Sequence, residues 1–189
     1  MSARRLSQAI AEGDGISVLV EVRDAPAARL AEGAGAEGLV VRAPNELRAE
    51  TGLPVLAYGP EPGDAAADEA DAVVIAADDD ETLTRLVERC YALGVEVVVR
   101  VRDDEELERV FELVDPEIVL LTAERAEDGQ PPRERLLELL PDVPAGKLAI
   151  AELANASRSD VEELERAGVD AVLVTGDVAA LVGDGVPDV

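Results

Sequence analysis

Histidine and tryptophan are absent from this 189-residue chain, and cysteine and lysine occur once each, at Cys90 and Lys147. Without histidine, Ser/His/Asp and Cys/His nucleophilic machinery and His-containing zinc sites are excluded. A lone cysteine forms no internal disulfide, which agrees with a reducing compartment, and Cys90 on an apolar helical stripe is expected to be structural. Long hydrophobic runs are missing too. None approaches the roughly 18 residues needed to cross a bilayer, and no apolar segment follows Arg4 and Arg5 as it would in a secretory signal. A cytoplasmic location is therefore expected. Positive charge is scarce: 17 Lys and Arg face 42 Asp and Glu, for a formal charge of -25. A surface of that sign repels phosphate backbones and anionic headgroups, so neither nucleic acid nor membrane is an expected partner.

What is present is a core. The hydrophobic fraction is 48%, and Val, Leu and Ala recur in short β-rich blocks at 16–22, 39–43, 54–59, 72–77, 95–101, 118–124, 147–153 and 171–176. Between them lie stretches of helical spacing. The clearest is 81–93, where Leu83, Leu86, Val87, Cys90 and Tyr91 are expected on one face; Leu107, Val110, Phe111 and Val114 repeat the pattern. Asp103 with Glu106, and Ser157 with Asp160, have the form of helix N-caps, while Gly94 and Gly168 mark helix ends. The stretch 63–70 is the weakest helix. Strands alternating with helices predict parallel βαβ units, and eight of them predict a closed (β/α)8 barrel occupying 1–189 as one domain, with a short helical extension over 1–15. At this length the loops must be trimmed. An open doubly wound sheet would carry a Gly-rich turn after its first strand, whereas the chain reads Arg23, Asp24, Ala25, Pro26 there.

The segment GVEVVVRVRDDEELER at 94–109 resembles the fifth strand and helix of indole-3-glycerol phosphate synthase. LPVL at 53–56 is similar to that family's third strand, AVVIAA at 72–77 to its fourth, KLAIAE at 147–152 to its seventh and AGVDAVLV at 167–174 to its eighth. The resemblance implies a barrel that closes an indole ring from an anilino deoxyribulose phosphate, with loss of carbon dioxide and water and with a lysine general acid after the third strand. Here Tyr58 falls at that position. Lys147 begins the seventh strand, at the rim opposite the one where barrel active sites are built, so it cannot take over. Other matched positions are altered as well. The family's fifth-strand acid aligns with Arg100 and its Asn pair with Thr122 and Ala123, while its phosphate-binding turns align with Leu153, Ala154, Thr175 and Gly176. Glu21 and Glu152 match retained carboxylates, and Arg23 stands in for a lysine.

The resemblance therefore implies Glu21, Glu152 and Tyr58 as candidate catalytic residues. Arg23, Arg42, Arg100, Thr122, Thr175 and Gly176 are the candidates for holding substrate or phosphate. Strand parity places Glu21 and Arg23 on one face, and Arg42, Arg100 and Glu152 at corresponding strand ends. Two readings follow. The arginines form a cationic pocket for an anionic metabolite such as a sugar phosphate, or they pair with the carboxylates and fill a vacated site. The resemblance alone leaves three roles open: a barrel that has lost the family's lyase activity, an enzyme or binding protein for another phosphorylated metabolite, and a noncatalytic assembly module. The Asp78–Asp80 run is read as helix capping, because successive residues do not converge on one ion. Gly13 to Gly15 and Gly183 to Gly185 are read as turns. No metal or other cofactor is expected.

Overall fold

Eight parallel strands pair in sequence order, and the first pairs with the last, through Ser17 opposite Ala171, to close a barrel. The structure is a computed structural model, and it describes residues 5–42, 51–59, 61, 70–126, 129–175 and 181. The strands are β1 (Ser17–Glu21), β2 (Gly38–Val41), β3 (Val55–Tyr58), β4 (Ala72–Ala76), β5 (Glu96–Val101), β6 (Ile118–Leu121), β7 (Leu148–Glu152) and β8 (Ala171–Val174). Among the described residues the helices are α1 (Leu6–Ala11), α2 (Ala25–Gly33), α3 (Asp80–Leu93), α4 (Asp104–Leu113), α5 (Pro132–Leu139) and α6 (Arg158–Ala167). All eight expected strands are present. The helix expected over 63–70 falls almost wholly outside the described residues, as do Gly176 and the turn at Gly183 to Gly185.

Side chains alternate across each strand, and the alternation sorts the apolar residues into two separate clusters. Leu19, Val40, Leu56, Val74, Val98, Leu120, Ile150 and Leu173 fill the barrel interior. Val18, Val20, Val73, Val97, Val99, Val119 and Val172 face outward, against Leu83, Val87 and Cys90 of α3, Leu107 and Val110 of α4, and Leu164 of α6. Fully burying each such side chain is worth about 1.5–3 kcal/mol. This is why the β-rich blocks of the sequence are nearly continuous rather than alternating: both faces of every strand are covered.

Local signals set the helix ends. Asp24, Asp79 and Asp103 each accept a hydrogen bond from the backbone N–H three residues on, at 2.8 Å. Ser157 and Asp160 form a reciprocal capping box. Gly94 and Gly168 end α3 and α6 with φ of 72° and 99°, a conformation that favours glycine. One expectation is corrected. Tyr91 does not share the buried face of α3; it is 62% exposed, because at about 100° per residue it has turned away from the Leu83, Val87, Cys90 stripe.

The N-terminal end of the barrel is closed by α1. Leu6 and Ile10 join the interior cluster, and the Ser7 amide and hydroxyl both donate to the Glu96 carboxylate at the start of β5. The approach is close: a Cβ added at Gly38 would sit 2.7 Å from a methyl of Leu19 and 3.6 Å from one of Leu6. Lys147 lies at this same end, with Nζ 2.7 Å from Asp115 Oδ1 and over the ring of Phe111.

Candidate functional site

Continuing the interior parity of the strands to their C-terminal ends brings polar side chains together at the opposite mouth. Arg42, one residue past β2, is the hub. Its Nε donates to Glu21 Oε2 at 2.9 Å and its Nη2 to Glu152 Oε1 at 2.8 Å, so one guanidinium bridges the ends of β1 and β7. Its plane lies over the Tyr58 ring, 4.1 Å from the centroid, a cation–π contact. The Tyr58 hydroxyl donates to Glu152 Oε2 at 3.1 Å and accepts from Arg100 Nη1 at 3.4 Å. Arg100 Nη1 also donates to Glu124 Oε1 at 2.8 Å. The result is a continuous relay of Glu21, Arg42, Glu152, Tyr58, Arg100 and Glu124, in which the neutral Tyr58 hydroxyl stands between a carboxylate and a guanidinium.

The protonation states follow from these contacts. Burial disfavours the Arg42 cation, yet hydrogen bonds to Glu21 and Glu152 hold its pKa above the ordinary value. Arg100 is governed in the same way, burial opposing and its Tyr58 contact favouring the cation, with a net rise. Burial, reinforced by the charge of Glu152, raises the Tyr58 phenol above its ordinary value. Cys90, among apolar side chains on α3, is pushed up to about 11 by burial and is an inert thiol.

Among the described residues, two cavities open on this mouth. The larger, about 560 Å³, lies over the ends of β6 and β7 and is lined by Thr122, Glu124, Arg133, Glu152, Asn155 and Asp160 among others. The smaller, about 280 Å³, lies over β3 to β5 and is lined by Tyr58, Ala76, Asp78, Asp79, Thr82 and Arg100 among others. The Arg100–Glu124 contact runs from one cavity to the other: Arg100 lines only the smaller and Glu124 only the larger. The larger is of the size that holds a small metabolite.

The structure brings Glu21, Arg42, Tyr58, Arg100 and Glu152 into one contact network. Thr122 is 2% exposed and its hydroxyl lies 3.4 Å from the Val101 carbonyl, on the wall of the larger cavity. Thr175 donates its hydroxyl to the Ala154 carbonyl at 2.7 Å, tying the turns after β7 and β8 together. Arg23 is exposed, two residues past β1, and Gly176 lies outside the described residues. The Asp78–Asp80 run divides its duties: Asp79 caps α3, Asp78 pairs with Arg102 and Asp80 with Arg109.

Three participants were missed from sequence. Glu124 shares the parity of Ile118, Leu120 and Thr122, and that signal could have found it. Arg133, near the start of α5, reaches Asp160 at 2.8 Å and Glu163 at 3.2 Å on α6, a contact between helices with no local signature. Glu106, expected only as a first-turn partner of Asp103, is buried and accepts from Arg102 while Arg125 lies 3.1 Å away. It anchors the loop after β5 beside the mouth.

Comparison with known proteins bears on both fold and family. A family model for indole-3-glycerol phosphate synthase matches residues 63–180. Among solved structures, the N-acetylmannosamine-6-phosphate 2-epimerase from Clostridium perfringens is 16% identical, with a TM-score of 0.72 over 87% of this chain and 88% of that one. Thiamine phosphate pyrophosphorylase from Pyrococcus furiosus is 17% identical, with a TM-score of 0.67 over 87% and 88%. The HpcH/HpaI aldolase from Desulfitobacterium hafniense is 14% identical, with a TM-score of 0.68 over 95% and 93%. At these identities the likeness is one of fold, the (β/α)8 barrel.

Proposed function

This chain belongs to the indole-3-glycerol phosphate synthase family, and we propose that it is a barrel of that family whose lyase activity is lost or much reduced, while its mouth still accepts an anionic, phosphorylated metabolite. The observation that carries this reading is Tyr58. It occupies the position that the family resemblance gives to a lysine general acid, with its hydroxyl engaged by Glu152 and Arg100. An effective general acid has a pKa near the working pH. An ammonium can be tuned down to that range, whereas this phenol is moved further from it by burial and by Glu152. Lys147, the chain's one ammonium side chain, is held by Asp115 at the far end of the barrel. Retention of an anion site is supported by Arg42 and Arg100 at the mouth, where Arg100 lines the cavity of about 280 Å³ and its contact with Glu124 leads to the one of about 560 Å³. The names of two proteins sharing the fold, an epimerase of a sugar 6-phosphate and a thiamine phosphate pyrophosphorylase, add general support.

A second reading keeps catalysis on a different phosphorylated metabolite, with Glu21 and Glu152 as the acid–base pair. It is favoured by the single guanidinium that holds both carboxylates at one mouth. The test is calorimetric titration with indole-3-glycerol phosphate and with its anilino deoxyribulose phosphate precursor, together with a fluorescence assay for indole ring formation on the same sample. Binding without turnover is the expected outcome. Ring closure by the unaltered chain would overturn the loss of lyase activity, and absence of binding to either compound would overturn the retained site.

A further inference from the structure

We propose that Glu124 is an internal occupant of a phosphoryl subsite on Arg100: its carboxylate stands where the phosphoryl group of a metabolite binds, and ligand entry displaces it. The proposal rests on the reading that the mouth accepts an anion, and it names the residue that regulates that acceptance. Among the described residues, three carboxylates touch Arg42 and Arg100, and they are not equivalent. Glu152 ends β7, is 18% exposed at its side chain, and is held by both Arg42 and the Tyr58 hydroxyl. Glu21 ends β1 and is comparably buried, at 19%. Glu124 lies three residues past β6 in a turn, is 48% exposed, and meets Arg100 through one oxygen.

An ion pair whose acid is that exposed contributes little to stability, because solvent screens it and a long side chain must be immobilised to form it. Arg100 is anchored differently. Its side chain is 19% exposed, it projects from β5, and its guanidinium also donates to Tyr58. The cation is thus the more buried and more contacted partner and the anion the more exposed one, the arrangement in which a competing anion replaces the acid rather than the base. A phosphoryl group brings nearly twice the charge of a carboxylate and three acceptor oxygens to a guanidinium suited to receive them. Displacing Glu124 also removes the side-chain contact that runs between the two cavities, so a ligand seated in the larger one reaches Arg100 and the Tyr58 hydroxyl behind it.

Titration of the whole chain with inorganic phosphate at constant ionic strength, followed by backbone amide NMR shifts, tests this. Glu124→Gln is expected to tighten phosphate binding by about fivefold, the factor that corresponds to relief of one solvent-screened ion pair. The largest shifts are expected around Arg100 and Thr122, and the gain is expected to vanish in Glu124→Gln combined with Arg100→Gln. Glu88→Gln, at an exposed position on α3, controls for the bulk loss of one negative charge, and an equal gain there would overturn the proposal. Phosphate binding that is unchanged or weaker in Glu124→Gln would overturn it while leaving the anion site itself standing. Binding in neither the parent nor Glu124→Gln would overturn both the subsite and the reading beneath it.

Discussion

The two ends of this barrel are built from the same strands at the same parity and are opposite in chemistry. At the N-terminal end the inward positions are small or apolar, including Gly38, Ala72, Ile118, Leu148 and Ala171, and α1 covers them with Leu6 and Ile10. The inward-facing carboxylate at the start of β5, Glu96, accepts from Ser7. At the C-terminal end the inward positions become Glu21, Arg42, Tyr58, Arg100, Thr122 and Glu152, and no apolar plug covers them among the described residues. One end gains stability by excluding water. The other spends desolvation on charges that must then satisfy one another. The lesson is that a polar mouth of this kind is maintained by mutual pairing, so that a ligand has to compete with the protein's own carboxylates.

If that contrast is right, the plugged end is where substitution costs most. Leu6 is fully buried, and Leu6→Ala deletes three carbons from a packed interior that cannot collapse around α1, with an expected loss of about 2–5 kcal/mol. Urea unfolding of the whole chain measures it. At the mouth, Arg42→Gln removes the cation shared by Glu21 and Glu152. Because Arg42 is 43% exposed, water replaces part of what is lost, and a smaller cost of about 1–2 kcal/mol is expected. A mouth variant more damaging than the plug variant would break the comparison and make the ion-pair relay the principal stabiliser of the fold.

The sequence carried the two ends unequally. All eight strands were legible because doubly covered parallel strands are short apolar blocks bounded by caps and turns, and the caps at Asp103 and Ser157 sit where their spacing placed them. Tyr91 was misplaced because a helical stripe has soft edges: a residue one step from Cys90 is as plausible inside as outside until a neighbouring helix is positioned. At the mouth, strand parity grouped Glu21, Arg23, Arg42, Arg100 and Glu152 and the family resemblance supplied Tyr58; Glu21, Arg42, Tyr58, Arg100 and Glu152 meet in one contact network. Parity could not say who pairs with whom. That the Arg42 guanidinium would be shared across β1 and β7, or that Arg133 on α5 would reach α6, depends on helix and strand placement in three dimensions. Neither is written in any local window of the chain.

The finest distinction between the ends is in how the mouth holds one proton. Tyr58 is raised above the ordinary phenol value near 10, by burial first and by Glu152 next, with Arg100 opposing. The folded state therefore keeps this proton at pH values where the unfolded chain releases it. Its contribution to stability is complete below the unfolded value and is lost as pH rises through the folded one, so neutral pH stability is untouched and the effect begins only in alkali. A Tyr91→Phe background leaves Tyr58 as the chain's one phenol, and absorbance near 295 nm then reports its ionisation directly. The midpoint is expected above 10, to fall toward 10 in Glu152→Gln, and to rise in Arg100→Gln, because the first change removes a repelling charge and the second removes the cation that favours phenolate. Opposite displacements from two neighbours of one oxygen are what the relay demands of a phenol set between an acid and a base. Displacements of the same sign, or none, would mean that burial alone sets Tyr58 and that the mouth is no more coupled than the plugged end.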